Sequence, residues 1–150
     1  MNIQHVTTKE QLEDAFFVRN TVFVDEQQVP AEEEIDQFEN EAEHVVLYDD
    51  RQNPVGAGRV RIVDGIGKLE RICVLSTSRK NGAGRIIVEK LEELATQQGV
   101  SRLKLNAQTH AIPFYEKLGY EVVSDEFMDA GIPHVTMIKE SASALNSLGQ

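Results

Sequence analysis

The stretch ICVLSTSRKNGAG, from Ile72 to Gly84, decides the fold. An apolar run typical of a buried strand passes through a short polar loop into two closely spaced glycines. A helix is predicted from about Gly84 to Gln98, and Gly99 supplies its C-terminal stop. The apolar stripe of this helix consists of Ile86, Ile87, Leu91, Leu94 and Ala95. The stretch is therefore a strand, a glycine loop and a helix in succession.

Helix-like and strand-like runs alternate on both sides of this unit. Strands are predicted at residues 44–48, 55–63, 68–75, 101–106, 120–127 and 134–139. Helices are predicted at residues 9–23, 31–38 and 112–118, and Thr8 with Gln11 forms a capping box before the first. Because strand, helix and strand follow one another from residue 68 to 106, one pair of strands should be parallel.

These elements predict a single-domain α/β fold, in which helices flank a mixed, mostly antiparallel sheet with one parallel strand pair. The domain should span residues 1–140. The remaining residues, 141–150, read SASALNSLGQ and are expected to form a frayed tail because they are small and polar.

Length, composition and charge restrict the class of protein. The chain has 150 residues, of which 41% are apolar, and can bury one core. It lacks an apolar run long enough to cross a membrane and a signal-peptide layout, so a cytoplasmic protein without a membrane partner is expected. The net charge of −10 argues against binding nucleic acid. The single cysteine, Cys73, is expected to be a packed thiol, with a nucleophile as the alternative.

The loop that opens the helix at Gly84 can hold an anion. The first amides of a helix lack internal partners and lie at its positive end, and Arg79 adds a forked donor suited to phosphate. No Walker string is present, and Ile87 stands where a dinucleotide fingerprint needs a small residue. The loop therefore suits a pyrophosphate-type anion held without a metal, unless its glycines only close a turn.

Two signatures resemble the GNAT acetyltransferases. The segment from Ile72 to Gly84 is similar to the strand and Gln/Arg-x-x-Gly-x-Gly/Ala loop of motif A. The downstream segment NAQTHAIPFYEKLGY, from Asn106 to Tyr120, resembles the second signature of the superfamily. The segment from Val18 to Pro30 is similar to a bacterial subgroup of small GNAT proteins. The resemblance to the superfamily as a whole covers about residues 2–140.

The resemblance implies acetyl-CoA as co-substrate, no metal, a splayed parallel strand pair and a homodimer. Main-chain groups of the strand at 72–74 would pair with pantetheine, the glycine loop would hold the pyrophosphate, and Asn106 would bond pantetheine where the strands part. The coenzyme-binding positions that it implies are Ile72, Cys73, Val74, Arg79, Asn81, Gly82, Ala83, Gly84, Arg85, Asn106 and Phe114. The implied activity is transfer of an acetyl group to a primary amine of a small molecule, such as an amino acid or amino sugar.

Such a reaction needs a proton acceptor, an oxyanion donor and an acid for sulfur. Tyr115 is the candidate acid, unless it is only a core tyrosine, and the main-chain N–H of Val74 is the candidate oxyanion donor. The base is Glu70, His134 or a relayed water. On an ideal strand Glu70 and Arg71 face opposite sides, so only one of them could line the acceptor pocket without a bulge.

Two arginines are candidates for the substrate. Arg19 falls on the inner stripe of the first helix and, if buried, needs an anionic partner. It could bind a substrate carboxylate or phosphate with help from Arg71, or form a salt bridge with Glu26, Glu34 or Asp36. Three other functions stay open: a non-catalytic acyl-CoA sensor, an interaction domain with a purely structural loop, and an acetyltransferase for protein N-termini or lysines.

Overall fold

The computed structural model describes residues 1–140, and the predicted frayed tail at 141–150 lies outside the described residues. The helices are α1 (Lys9–Arg19), α2 (Ala31–Glu34), α3 (Ala83–Gln97) and α4 (Ile112–Lys117), and a π-helical segment (Asn20–Glu26) continues α1. The strands are β1 (Asn2–His5), β2 (Glu43–Tyr48), β3 (Pro54–Val63), β4 (Ile66–Val74), β5 (Arg102–Gln108), β6 (Glu121–Val122), β7 (Phe127–Asp129) and β8 (Ile132–Glu140).

All eight strands form one mixed sheet in the order β1-β2-β3-β4-β5-β8-β6, with β7 also paired to β8. Every pairing is antiparallel except the one between β4 and β5, which confirms the predicted fold class. The edge strand β1 was not predicted, because NIQH is too short and polar to show an alternating pattern. The single strand predicted at 120–127 is wrong: β6 and β7 are two short strands, and both pair with β8.

The parallel pair separates after three residues. β4 and β5 are in register only from Gly67 opposite Leu103 to Leu69 opposite Leu105. Beyond Leu69, β4 stays paired with β3 while β5 stays paired with β8, so a gap opens between them. The main-chain groups that line this gap have no strand to pair with, which is where an extended ligand can add itself to the sheet.

A β-bulge lies at the start of the gap. Arg59 stands opposite Glu70 and Ala57 opposite Cys73, so two residues of β4, at 71 and 72, face Gly58 alone. Arg71 takes up the extra length with φ of 59°, a conformation that is uncommon for any residue other than glycine. The bulge removes the strict alternation of the strand, which allows both Glu70 and Arg71 to face the gap.

The sheet is covered on both faces. Helix α3 places Ile87 and Leu91 on one face, where β3 needs glycine: a Cβ at Gly58 would lie 2.9 Å from both of these side chains. Helix α1 covers the other face with Ala15 and Val18. Each fully buried aliphatic side chain of this kind contributes about 1.5–3 kcal/mol, so the two helices are fixed relative to the strands that border the gap.

The N-terminal helices differ from their predicted lengths. The capping box is confirmed, since the Gln11 amide bonds Thr8 Oγ1 at 3.2 Å. The helix predicted at 9–23 instead becomes π-helical after Arg19, and the one predicted at 31–38 ends at Glu34. It ends there because the Asp36 carboxylate accepts the Phe38 N–H, a local bond that competes with helix formation.

Candidate active site

A cleft of about 480 Å³ fills the gap between the separated ends of β4 and β5. Its walls come from these strands, the π-helical segment, the start of α3, α4 and β8. The candidate residues that line it are Glu70, Arg71, Ile72, Cys73, Val74, Arg79, Gly84, Asn106, Phe114, Tyr115 and His134. The candidates outside its wall are Arg19, Asn81, Gly82, Ala83 and Arg85.

The main chain of β4 presents free polar groups to the cleft. The Leu75 N–H donates to Val55 O on β3 at 2.8 Å. Because neighbouring residues of a strand direct their N–H and C=O groups to opposite sides, those of Val74 and Ile72 face away from β3. Val74 O accordingly accepts a bond from Arg79 Nε at 2.9 Å instead of from a strand. The edge formed by Ile72 and Val74 can therefore pair with an extended, amide-containing ligand.

The glycine loop leaves the first turn of α3 open. Gly82 precedes the helix with φ of 77°, and the space where its Cβ would lie is empty to at least 4 Å. No described residue caps α3 with a side chain. At Gly84 a Cβ would come within 3.0 Å of the Phe114 ring, so this glycine is required where the two signatures meet. The uncapped amides and the positive helix end suit an anion.

Three other residues predicted to bind the coenzyme, Asn81, Ala83 and Arg85, do not line the cleft. Ala83 is buried in the core, and Asn81 is exposed beyond the cleft wall. Arg85 bonds Glu89 at 3.0 Å along the outside of α3.

Arg79 is held across the cleft. Its two terminal nitrogens bond the Glu26 carboxylate at 2.7 and 2.9 Å, while its Nε bonds Val74 O. The hydrogen bond from Arg79 lowers the pKa of Glu26 and keeps this carboxylate charged. An anionic ligand at the loop would compete with Glu26 for the same guanidinium.

Tyr115 brings an unbonded hydroxyl to the cleft. Its ring is buried edge-on between Phe114, at 4.9 Å between centroids, and Tyr120, at 5.9 Å. No described residue hydrogen-bonds its hydroxyl, whereas the hydroxyl of Tyr120 donates to Glu92 at 2.7 Å. Burial raises the pKa of Tyr115, so the phenol holds its proton at neutral pH. The hydroxyl is a proton donor without a structural partner.

His134 presents a lone pair to the cleft. Its Nδ1 lies 2.7 Å from Ile132 O, and its ring stacks on Phe127. A carbonyl oxygen only accepts, so in the neutral ring Nδ1 carries the hydrogen and Nε2 is the basic nitrogen. His134 is 9% exposed, and Nε2 has no partner among the described residues. Among the two candidate bases, this is the side chain free to accept a proton.

Glu70 reaches the cleft wall, but its carboxylate is occupied. Arg61 Nε donates to it at 2.8 Å, Arg59 Nε at 3.1 Å, and Lys68 Nζ lies 3.4 Å away. Burial alone would raise the pKa of Glu70, but the Arg61 hydrogen bond and the neighbouring cations outweigh it and lower the pKa. A carboxylate held by three cations is a weak proton acceptor.

Arg19 does not reach the cleft, which corrects its predicted substrate role. It is fully buried and bonds Glu34 Oε1 at 3.1 Å, Glu34 O at 2.9 Å and both oxygens of Glu39 at 2.7 and 2.9 Å. The alternative salt bridge with Glu34 is therefore observed, with Glu39 as a second partner. Arg71 does line the cleft, but its Nε and one terminal nitrogen bond Glu34 O and Asp36.

Cys73 is a packed thiol, as expected. It is 5% exposed, its sulfur lies 3.9 Å from Ala57 O, and burial raises its pKa to about 12. Only its main chain can belong to a binding site, because a thiol with this pKa is not a nucleophile at neutral pH.

A model of the acetyltransferase (GNAT) domain matches residues 5–141, nearly the whole described chain. The chain belongs to the GNAT acetyltransferase family. It is accordingly an acyltransferase, and its separated β4–β5 pair matches the geometry that the resemblance to this family implies.

The relatives of this GNAT protein agree with that assignment. The uncharacterized N-acetyltransferase YjcF of Bacillus subtilis is 61% identical over 133 residues, covering 88% of this chain and 94% of YjcF. A solved Lactobacillus plantarum protein, provisionally assigned as an N-acetyltransferase, has a TM-score of 0.85 at 29% identity, covering 93% and 97% of the two chains. An aminoglycoside 6′-N-acetyltransferase solved with coenzyme A shares the fold, with a TM-score of 0.76 at 19% identity and the same coverage.

No helix among the described residues of this GNAT chain is long and apolar enough to span a membrane.

Four polar residues that line the GNAT cleft were not predicted to belong to it. Glu26 was predicted only as an alternative partner for Arg19, although it binds Arg79 instead. Gln27 and Gln108 form the opposite wall and bond each other at 2.9 Å across 81 residues of sequence. Asp129 ends β7 just before a tight turn, and the pair Ala130-Gly131 was the only local signal for it. Contacts this distant in sequence leave no periodic pattern.

Proposed function

We propose that this protein transfers an acetyl group from acetyl-CoA to a primary amine of a small molecule, by direct attack in a ternary complex. The observation that carries the proposal is the cleft between β4 and β5. It joins an uncapped helix N-terminus, a proton donor at Tyr115 and a proton acceptor at His134.

The chain's residues fit the coenzyme. The open amides of α3 and the guanidinium of Arg79 suit a diphosphate, and the open space above Gly82 admits one. The β4 edge at Ile72 and Val74 suits the pantetheine amides, with Asn106 on the opposite strand. The structural neighbour with bound coenzyme A supports this use of the fold. When bound, acetyl-CoA supplies the acetyl group as a thioester whose sulfur can leave.

His134 accepts the proton of the acceptor. A primary ammonium has a pKa of about 10.4 and must lose a proton before its nitrogen can attack. Nε2 is free to take that proton, while the Nδ1 hydrogen bond to Ile132 O fixes the ring and favours this tautomer. Glu70 is the weaker candidate because three cations hold its carboxylate.

Val74 and Tyr115 can stabilise the negative charges that develop on the carbonyl oxygen and on the sulfur. The Val74 N–H faces the cleft and can donate to the oxyanion formed at the carbonyl. The Tyr115 hydroxyl, protonated at neutral pH, is available to the sulfur as negative charge builds on it. One proton of the ammonium thus passes to His134 before attack. As the C–S bond breaks, Tyr115 gives its proton to the departing thiolate, and the second proton lost by the acylated nitrogen restores the Tyr115 phenol.

The test is the variant His134→Asn. Asparagine can still donate a hydrogen bond to Ile132 O from the position of Nδ1, but it has no counterpart of Nε2. We expect kcat for thiol release from acetyl-CoA to fall about 100-fold or more, the range of general-base catalysis. The affinity for acetyl-CoA should stay within about twofold.

Two results would contradict the proposal in different ways. If His134→Asn keeps full turnover, the base is another group, and Glu70→Gln would identify the remaining candidate. If the wild-type protein binds acetyl-CoA by calorimetry yet releases no thiol with any amine, the chain is a sensor and the transfer proposal is wrong.

A further inference from the structure

A smaller cavity of about 130 Å³ opens beside the cleft, between α2 and the β7–β8 hairpin. It shares His134, Arg71 and Asp129 with the cleft, so it lies on the acceptor side of the candidate base. Its volume is many times the roughly 15 Å³ that one water needs, so it can admit an aminoalkyl arm. A group bound in this cavity would therefore lie beside the candidate base.

The charges around this cavity are unequal. Glu33, Glu34 and Asp129 supply three carboxylates; Glu34 is paired with Arg71 and Arg19, so Glu33 and Asp129 carry the excess negative charge. Among the described residues, the carboxylates of Glu33 and Asp129 have no hydrogen bond or salt bridge, and both side chains are exposed to solvent.

The single cation is already neutralised. Arg71 lies 3.2 Å from both the Glu34 and the Asp36 carboxylates. It also bonds the main-chain oxygens of Glu34 and Glu33, at 3.2 and 3.4 Å. An acceptor carboxylate brought to Arg71 would have to displace these partners and lie among like charges. The predicted use of Arg71 as a binder of substrate anions is therefore disfavoured by its surroundings.

Two unsatisfied groups, each at least nine-tenths buried, belong to the residues that line this cavity. Glu34 is 2% exposed, and its Oε2 lacks a hydrogen-bond partner among the described residues. His134 is 9% exposed, and its Nε2 is likewise unpartnered. Glu34 Oε2 is a buried polar atom, and such atoms are normally hydrogen-bonded. A donor-rich ligand would supply a partner to it and to His134 Nε2.

We infer that the acceptor is a diamine or polyamine, whose second ammonium group lies in the cavity formed by Glu33, Glu34 and Asp129 while its reacting nitrogen faces His134. This inference rests on the proposed function, since it names the class of amine that the same site acetylates. The net charge of the chain, −10, favours the approach of such a cation as well.

Three amines with the same four-carbon chain test the inference. 1,4-Diaminobutane, butylamine and 4-aminobutanoate present the same primary amine with a cation, a neutral end or an anion four carbons away. We expect kcat/KM for the diamine to exceed that for butylamine at least about tenfold, and 4-aminobutanoate to be poorer than butylamine. The ratio of kcat/KM for the diamine over butylamine should fall as the salt concentration is raised, because the carboxylates of Glu33 and Asp129 are exposed to solvent.

Variants locate the effect. Asp129→Asn and Glu33→Gln should each lower the ratio of kcat/KM for the diamine over butylamine, and the double variant should bring it close to one. Asp125→Asn is the matched control: Asp125 is exposed on the connection before β7 and does not line the cavity, so the ratio should stay at its wild-type value.

The outcomes separate the two proposals. If butylamine or 4-aminobutanoate is used as well as the diamine, or if the ratio ignores Asp129 and Glu33, the acceptor class is wrong while acetyl transfer stands. If none of the amines releases thiol, the proposed function fails and the acceptor class falls with it.

Discussion

Replacing Tyr115 by phenylalanine isolates one hydroxyl at the centre of the cleft. The ring keeps its edge contacts with Phe114 and Tyr120, and the hydroxyl has no hydrogen bond to lose among the described residues. We therefore expect the free energy of unfolding to change by less than about 0.5 kcal/mol. The affinity for acetyl-CoA should also stay within about twofold, since the hydroxyl acts on charge that appears only during the reaction.

The loss should instead appear in turnover. A positioned general acid contributes about 10²–10⁴-fold, so kcat should fall at least about 100-fold, equivalent to about 2.7 kcal/mol in the barrier. Thiol release under saturating acetyl-CoA measures kcat, and calorimetry measures coenzyme affinity. Unchanged kcat would refute the assignment of Tyr115 as the acid, and a large loss of affinity would mean that it holds the coenzyme.

Tyr120→Phe is the control, because it removes a hydroxyl from the neighbouring ring. That hydroxyl donates to Glu92 at 2.7 Å and does not line the cleft. We expect this variant to lose about 1.5–3 kcal/mol of stability, the usual range for a hydrogen bond to a charged group, and to keep its turnover. Tyr115→Phe should thus lower kcat and keep the stability, whereas Tyr120→Phe should lower the stability and keep kcat.

The remaining predictions concern the buried ion pairs behind β4. Burial would raise the pKa values of Asp36 and Glu39, but arginine hydrogen bonds lower both to about 2. Their contribution to stability should therefore be complete above pH 4.5 and be lost as the pH falls from 4.5 to 2; a flat stability curve in this range, by urea unfolding, would contradict the pairing. Arg19→Met removes the most buried cation of this cluster but leaves Glu34 paired with Arg71 and Glu39 paired with Arg59, so it should cost about 3 kcal/mol in thermal unfolding. Arg102→Met, which breaks an exposed pair, should cost less than about 1 kcal/mol, and equal losses would contradict the burial argument.

The parts of this fold that sequence predicts are those with a local pattern. The apolar runs of β3 and β4, the apolar stripe of α3 and the glycines before it are visible in the local sequence. The parallel β4–β5 pair follows because a strand, helix and strand unit must cross over. These elements fix the position of the cleft.

What sequence does not predict depends on contacts between distant residues. The bulge at Arg71 exists because β3 and β4 differ by one residue in length between paired positions, which neither strand shows alone. Arg19 has the same helical spacing whether its partner is a substrate or Glu34. Its partner is Glu34 because the chain folds back and brings this residue, 15 positions later, next to Arg19. The salt bridge between Glu26 and Arg79 joins residues 53 positions apart, and the sequence around neither residue predicts it.

The position at which coenzyme A binds tests the proposed active site most directly. In a ¹⁵N-labelled sample titrated with coenzyme A, the amides of Gly84, Arg85 and Val74 should show the largest chemical-shift changes, since they belong to the first turn of α3 and the open edge of β4. The amide signals of Asp50 and Gly65, which lie on turns and do not line the cleft, should not shift. Saturable shifts elsewhere with silent amides at the start of α3, or no shifts at all, would contradict the proposed use of the cleft.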